Sequence, residues 1–174
     1  MAGTMGTPAS TTRLYSEQER QRRDRSRWTL VQGVLAPLQF AVFLLSLFLV
    51  LRCLATGEGF GVATASVVAK TLVLYTIMVT GSIWEKEVFG RWLFAPAFFW
   101  EDVFSILVLA LHTAYLAVVF LGVGDAQGQM LLALAAYAAY VVNAAQFLLK
   151  LRAARLEGGA AAGARAAAPS GLAA

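Results

Sequence analysis

Four apolar runs, each about the length of a bilayer-crossing helix, decide what this chain can fold into. They lie at about Leu30–Leu51, Val62–Trp84, Phe99–Leu121 and Met130–Leu151. A helix needs ~20 mainly apolar residues to cross ~30 Å of hydrocarbon. In that medium only a helix or a closed barrel satisfies every backbone polar group. Runs of this length with no amphipathic stripe are unlike the surface helices of a soluble domain. Of the 174 residues, 59% are hydrophobic and 14% charged, and the runs take up about half the chain, so no separate soluble domain fits beside them. The fold expected is all-α: an integral membrane four-helix bundle over residues 29–156. A polar, basic leader over 1–28 precedes it and a disordered Ala/Gly-rich tail over 157–174 follows. The first run reads as a retained helix, because the charged stretch before it and the run itself are both too long for a secretory signal, and Pro37 inside it is no cleavage site.

Positive charge orients the bundle. The leader carries Arg13, Arg20, Arg22, Arg23, Arg25 and Arg27. The first connector has Arg52 and the third, GVGDAQGQ, has no cation. The second has Lys86 and Arg91, and the chain after the fourth run has Lys150, Arg152, Arg155 and Arg165. Cations stay on the cytoplasmic side, so both termini and the second connector are expected there. Trp28, Trp84, Trp92 and Trp100 fall at the same interface, where an indole keeps its ring apolar and its N–H wet.

Composition removes several function classes. A single cysteine, Cys53, excludes an internal disulfide and a cysteine metal cluster, and a single histidine, His112, excludes a haem held by two histidines. The leader arginines alternate with Glu17, Glu19 and Asp24 and carry no aromatic ladder for bases, so the net charge of +4 points to anionic lipid rather than nucleic acid. Ser16 and Glu19 have the spacing of a capping box, which predicts a short polar helix there. Gly158 and Gly159 are expected to end the fourth long helix.

Polar groups inside hydrocarbon are costly and mark function by default. On the third run Glu101, Ser105, Val108, His112 and Tyr115 form one helical stripe, with Asp102 about a quarter-turn away. Glu101 and His112 are ~16 Å apart along the axis, so they cannot touch but can face one elongated cavity. Asn143 and Gln146 share a face of the fourth run. Lys70, on the second, is expected to snorkel to the outer interface. Each residue also has a structural reading: the acids as helix-dipole partners, and His112, Asn143 and Gln146 as interhelical hydrogen bonders. Glu85, Glu87, Glu101 and Asp102 flank a connector rich in aromatics: Trp84, Phe89, Trp92, Phe94, Phe98, Phe99 and Trp100. Carboxyl groups against such a surface can hold a proton near neutrality.

Several long stretches are familiar: WTLVQGVLAPLQF, KTLVLYTIMVTGSIWEKEVFG, LFAPAFFWEDVFS and ALHTAYLA. Through them the chain resembles the vinyl (bacterio)chlorophyllide hydratases of bacteriochlorophyll synthesis, from about Leu14 to Leu156. The resemblance implies a bacterial inner-membrane enzyme that adds water to the C3 vinyl group of a chlorophyllide, giving a 1-hydroxyethyl group. It implies a tetrapyrrole substrate, the lipid bilayer and other bacteriochlorophyll-synthesis enzymes as partners, with no cofactor and no metal site of the protein's own. Such chemistry needs an acid for the terminal carbon, a group to orient water and a flat apolar slot. Glu101 or Asp102 is the expected acid and Glu85 the alternative, with the partner carboxylate or Asn143 placing water and Gln146 a further substrate-binding candidate. The ring is expected between the connector aromatics, Trp84 and Trp100 among them, with Lys86 or Arg91 meeting its propionate. For His112 two roles compete: ligation of the substrate's magnesium, or a hydrogen bond.

A non-enzymatic pigment-binding scaffold of the photosynthetic membrane would use the same aromatics and His112 but would not need the carboxylates. A small four-helix exporter would carry a carboxylate mid-membrane. Here the mid-membrane ionisable groups are Lys70 and His112.

Overall fold

Local chemistry marks several of the helix ends, though not the C-terminal side of the last helix. The computed structural model describes residues 14–167. Helix α1 (Glu17–Arg25) is the expected short polar helix. Its capping box is complete: the Glu19 N–H donates to Ser16 Oγ at 3.3 Å and the Ser16 N–H donates to Glu19 Oε2 at 2.8 Å. Ser26 then caps α2 (Arg27–Thr56), accepting from the Trp28 N–H at 3.2 Å. Gly57 ends α2 and Gly59 precedes α3 (Phe60–Phe89), both left-handed at φ 74° and 77°, a backbone that glycine adopts without Cβ strain. Helix α4 runs Phe99–Phe120 and α5 runs Ala126–Ala167.

Four of these helices, at Arg27–Thr56, Phe60–Phe89, Phe99–Phe120 and Ala126–Leu156, are long and apolar enough to cross a bilayer. They extend past the apolar runs because a helix does not end where hydrocarbon ends. Leu30, Leu45, Phe48, Val79 and Leu149 are each more than half exposed on the outside of the bundle, the pattern expected of side chains that face lipid.

Helix α2 packs antiparallel on α3, and α4 antiparallel on α5. Polar rungs set the first register: Trp84 Nε1–H donates to Thr29 Oγ1 at 2.9 Å, Gln32 Nε2–H to Thr80 Oγ1 at 2.8 Å, and Ser46 meets Ser66 at 2.7 Å. Three rungs set the second: Lys150 with Glu101, Asn143 with Ser105, and His112 with Tyr137. Tyr15, Val88, Phe98 and, beside them, Ala154 share one cluster. The start of α1, the α3–α4 connector and the last residues before Leu156 therefore sit at the same end of the bundle.

The expectation that Gly158 and Gly159 end the last helix is not met, for α5 continues to Ala167. The surrounding alanines, the best helix formers, outweigh glycine's cost of ~1 kcal/mol each. Residues 1–13 of the expected leader and 168–174 of the expected tail lie outside the described residues.

Candidate functional site

The expected stripe on α4 is buried in full: Glu101, Ser105, Val108, His112 and Tyr115, with Asp102 beside them. Their exposure is small even for the acids, 6% for Glu101 and 4% for Asp102, and Glu85 on α3 is 5% exposed. Three carboxyl groups thus turn into one end of the bundle, away from solvent.

Each has a partner, and the partners differ. Glu101 accepts from Lys150 Nζ at 2.6 Å, and the same ammonium also donates to the Ala97 carbonyl. Asp102 Oδ2 accepts from the Phe94 N–H at 2.7 Å. Glu85 Oε2 accepts from the Ala95 N–H at 3.3 Å. The Glu85 and Asp102 carboxyl groups lie within hydrogen-bonding range of each other. The two acids therefore clamp consecutive amides of the α3–α4 connector. Between them Phe94 is held at φ 59°, a left-handed conformation that costs a bulky residue ~1–3 kcal/mol and clusters at functional sites. Neither acid caps a helix; the cap position of α4 is Phe98 and has no side-chain acceptor.

The connector aromatics separate into two groups. Trp84, Phe89 and Phe98 pack against one another at centroid distances of 5.6–5.8 Å, and Tyr15 closes on Phe89 at 5.7 Å. Phe147 stacks on Phe98 at 6.1 Å. This inner group fills itself, so the slot expected between the connector aromatics is absent there; edge-to-face contacts are more favourable than an open gap. The outer group, Trp92, Phe94, Phe99 and Trp100, stands exposed, Trp100 at 65%. Phe94 meets Phe99 at 5.7 Å and Phe99 meets Trp100 at 5.5 Å, which makes an aromatic ledge beside the acids. Lys86 and Arg91 are exposed at its rim. Lys86 Nζ donates to the Gly90 carbonyl at 3.0 Å and lies 5.9 Å from the Trp92 ring.

Deeper in the bundle Asn143 Nδ2–H donates to Ser105 Oγ at 2.9 Å, while Gln146 is half-buried one turn nearer the acids. His112 is fully buried; its Nδ1 lies 2.8 Å from the Val108 carbonyl, which can only accept, so Nδ1 carries a proton. Lys70 does not snorkel. It is fully buried with its ammonium 4.0 Å from the Tyr140 ring centroid. The reason is legible in hindsight: Ala63, Val67, Lys70, Thr71 and Leu74 form the buried face of α3, and a side chain on that face has no path to the rim.

Sequence reasoning treated Lys150 as a topology signal and missed it as the partner of Glu101. Its spacing of seven from Asn143 and four from Gln146 places it on the face they share. Tyr15 was also missed, for want of a local signal, and Gln39, a polar residue inside the first apolar run, was given no role. Gln39 lies in step with Phe43, Ser46 and Val50 on the buried face of α2.

The 2-vinyl bacteriochlorophyllide hydratase (BCHF) family model matches residues 15–153. The chain belongs to this family. Two relatives carry that name. The protein of Cereibacter sphaeroides is 68% identical over 146 residues, which cover 83% of this chain and 90% of the relative. That of Rhodobacter capsulatus is 67% identical over 144 residues, covering 83% of this chain and 84% of its own. No solved structure matches. The 2-vinyl bacteriochlorophyllide hydratase match begins at Tyr15 and takes in all four long apolar helices up to residue 153. The acid cluster, the ledge and Lys150 all lie within the matched residues.

Proposed function

We propose that this protein is a hydro-lyase of the bacterial photosynthetic inner membrane, with both termini cytoplasmic. It adds water to the C3 vinyl group of chlorophyllide a or a bacteriochlorophyllide. The observation that carries the reading is the buried Glu85–Asp102 pair set beside the exposed aromatic ledge, in a chain of this family. The macrocycle lies on Phe94, Phe99 and Trp100, reached from the bilayer, with its propionate at the rim by Lys86 and Arg91. The vinyl arm points inward to the carboxyl pair.

Two carboxyl groups in contact and out of solvent cannot both carry charge cheaply, so the pair holds one proton between them. That proton goes to the terminal vinyl carbon. Positive charge then forms on the carbon next to the macrocycle, which spreads it over the ring. Water attacks that carbon, and its surplus proton returns to the pair. One proton leaves and one comes back, so the net change is the addition of one water. Glu101, committed to Lys150 as an acceptor, holds the ammonium and the α4–α5 register in place and orients groups around the pair rather than supplying the proton. Asn143, anchored by Ser105, faces the attacking water.

The test is turnover of a vinyl bacteriochlorophyllide by the purified protein in H2(18)O. The expected product is heavier by one labelled water and has a blue-shifted red absorption band. Substrate returned unchanged would instead fit a pigment-binding scaffold.

A further inference from the structure

One set of buried groups extends from Asn143 into the bundle, beyond the residues given a role above. In the middle of the bundle Gln39 Oε1 and Nε2, Lys70 Nζ, His112 Nε2 and Asn143 Oδ1 are all inaccessible to solvent and have no hydrogen-bond partner. They come from α2, α3, α4 and α5, one or two groups from each. They fall along about two turns of the bundle interior. Lys70 Nζ lies 4.0 Å from the Tyr140 centroid and 5.7 Å from that of Tyr137, and the His112 ring is 5.8 Å from Tyr137. Phe43 packs on Tyr137 and Tyr140 at 5.4 and 4.8 Å. Gln39 is one turn from Phe43 toward the acid end, and Asn143 is one turn from Tyr140 in the same direction. The stretch thus leads from Lys70 and His112 up to the Asn143–Ser105 hydrogen bond, ~10 Å along α4, and from there to the carboxyl pair.

A buried polar group without a partner costs ~1–3 kcal/mol, and a charge more. Among the described residues Lys70 has no ion-pair partner, and the buried Glu101 is taken by Lys150. The mixture of groups selects the ligand. An anion would call for donors alone and a cation for acceptors alone. This stretch presents both: the Lys70 and Gln39 nitrogens donate, while Gln39 Oε1, Asn143 Oδ1 and the second nitrogen of a neutral His112 accept. Small neutral molecules that both donate and accept, placed along this stretch, satisfy all of them, and in an enzyme that consumes water such a molecule is the co-substrate.

We propose that Gln39, Lys70, His112 and Asn143 form an internal water-binding site, which supplies the reacting water to the carboxyl pair from behind while the macrocycle covers the outer mouth. The second half of this rests on the hydratase reading; the water site does not. A planar substrate lying on the ledge excludes bulk water from the pair, as closed sites do. Delivery from the inner side also puts the new hydroxyl on one face of the reacting carbon.

Two measurements separate the parts. The first is hydroxyl-radical footprinting by X-ray radiolysis of the full-length protein in lipid nanodiscs without substrate. Radicals generated from resident water mark side chains that touch it, whatever their exposure to bulk. Tyr140 is expected to be oxidised several-fold faster than Phe98, which is similarly buried at 4% against 8% but lies in the aromatic cluster. Equal and slow labelling of the two would overturn the water site even in a fully active enzyme. The second is Gln39→Leu and, separately, Lys70→Met, read by both footprinting and kinetics. The expected result is loss of Tyr140 labelling and a fall in kcat of about tenfold or more, with KM for the tetrapyrrole within about twofold. Lost labelling with unchanged kcat would keep the site and overturn its delivery role. A wild-type protein that shows the labelling but no hydration would overturn the hydratase reading instead.

Discussion

Helices α4 and α5 both carry an acid at their start, and the two acids do opposite things. Asp125 stands just before α5, exposed, and its Oδ1 accepts the Gly128 N–H at 2.8 Å. That is helix capping. Asp102 is in the first turn of α4, buried, and reaches back across the connector to the Phe94 N–H and toward Glu85. By sequence position both fit the helix dipole. By structure one serves its own helix, and the other turns away from its helix to meet an acid of a neighbouring one. Nearness to a helix N-terminus therefore says little about role; burial and the identity of the partner decide it.

The largest effect that could break this contrast is on turnover. Asp102→Asn keeps the shape and an acceptor for the Phe94 N–H but cannot hold the shared proton. Hydration is expected to slow by about 10²–10⁴-fold, the usual worth of a positioned acid or base. Glu85→Gln is expected to fall in the same range. The double variant should be hardly worse than either single one, because the pair acts as a unit. The red-band shift of the product gives the rates. If the two losses multiply, the carboxyl groups act independently and the shared proton is wrong.

How much of this could be read before the structure follows from which forces are local. The four apolar runs, the α4 stripe and the Ser16–Glu19 capping box were legible, because each is set by residues a few positions apart. The separation of the aromatics was not: Phe98 turns inward and Phe99 outward according to what Tyr15 and Phe147 bring from the two far ends of the described chain. Lys70 was misjudged because snorkelling was argued from its depth along α3, while its fate depended on its face. Lys150 was counted as charge and not placed, since its partner lies 49 residues away. The site is a meeting of α3, α4 and α5, and only its α4 part has a periodicity that can be read from one segment.

The Glu101–Lys150 ion pair sharpens the contrast through stability rather than rate. Lys150→Met leaves a carboxylate buried at 8% exposure without its ammonium. Breaking a fully buried pair costs ~3–5 kcal/mol; here about 2–3 is expected, because the Lys150 side chain remains 24% exposed and solvent screens part of the interaction. Thermal unfolding in detergent reads the loss. Adding Glu101→Gln to Lys150→Met should restore most of it, since the neutral amide removes the stranded charge. A double variant that stays as unstable as Lys150→Met would place the ammonium's main role at the Ala97 carbonyl instead.

The smallest effect belongs to the ordinary cap. Asp125→Ala removes the acceptor for one amide at the start of α5 and is expected to cost ~1 kcal/mol of stability, in line with lost N-caps. Asp125→Asn should cost only a few tenths, because an asparagine oxygen caps nearly as well. Gly128 sets the room for this contact: a Cβ there would come within 2.9 Å of Asp125 Oδ1. Gly128→Ala should therefore push the cap aside and cost about as much as Asp125→Ala, without adding to it in the double variant. Turnover should stay within about twofold of wild type in all three, since Asp125 is on the connector at the opposite end of α4 from Asp102, about 20 residues and ~30 Å of helix away. A loss of hydration in Asp125→Asn comparable to that in Asp102→Asn would mean that a shared position at a helix start, and not burial against a second acid, is what the chemistry needs.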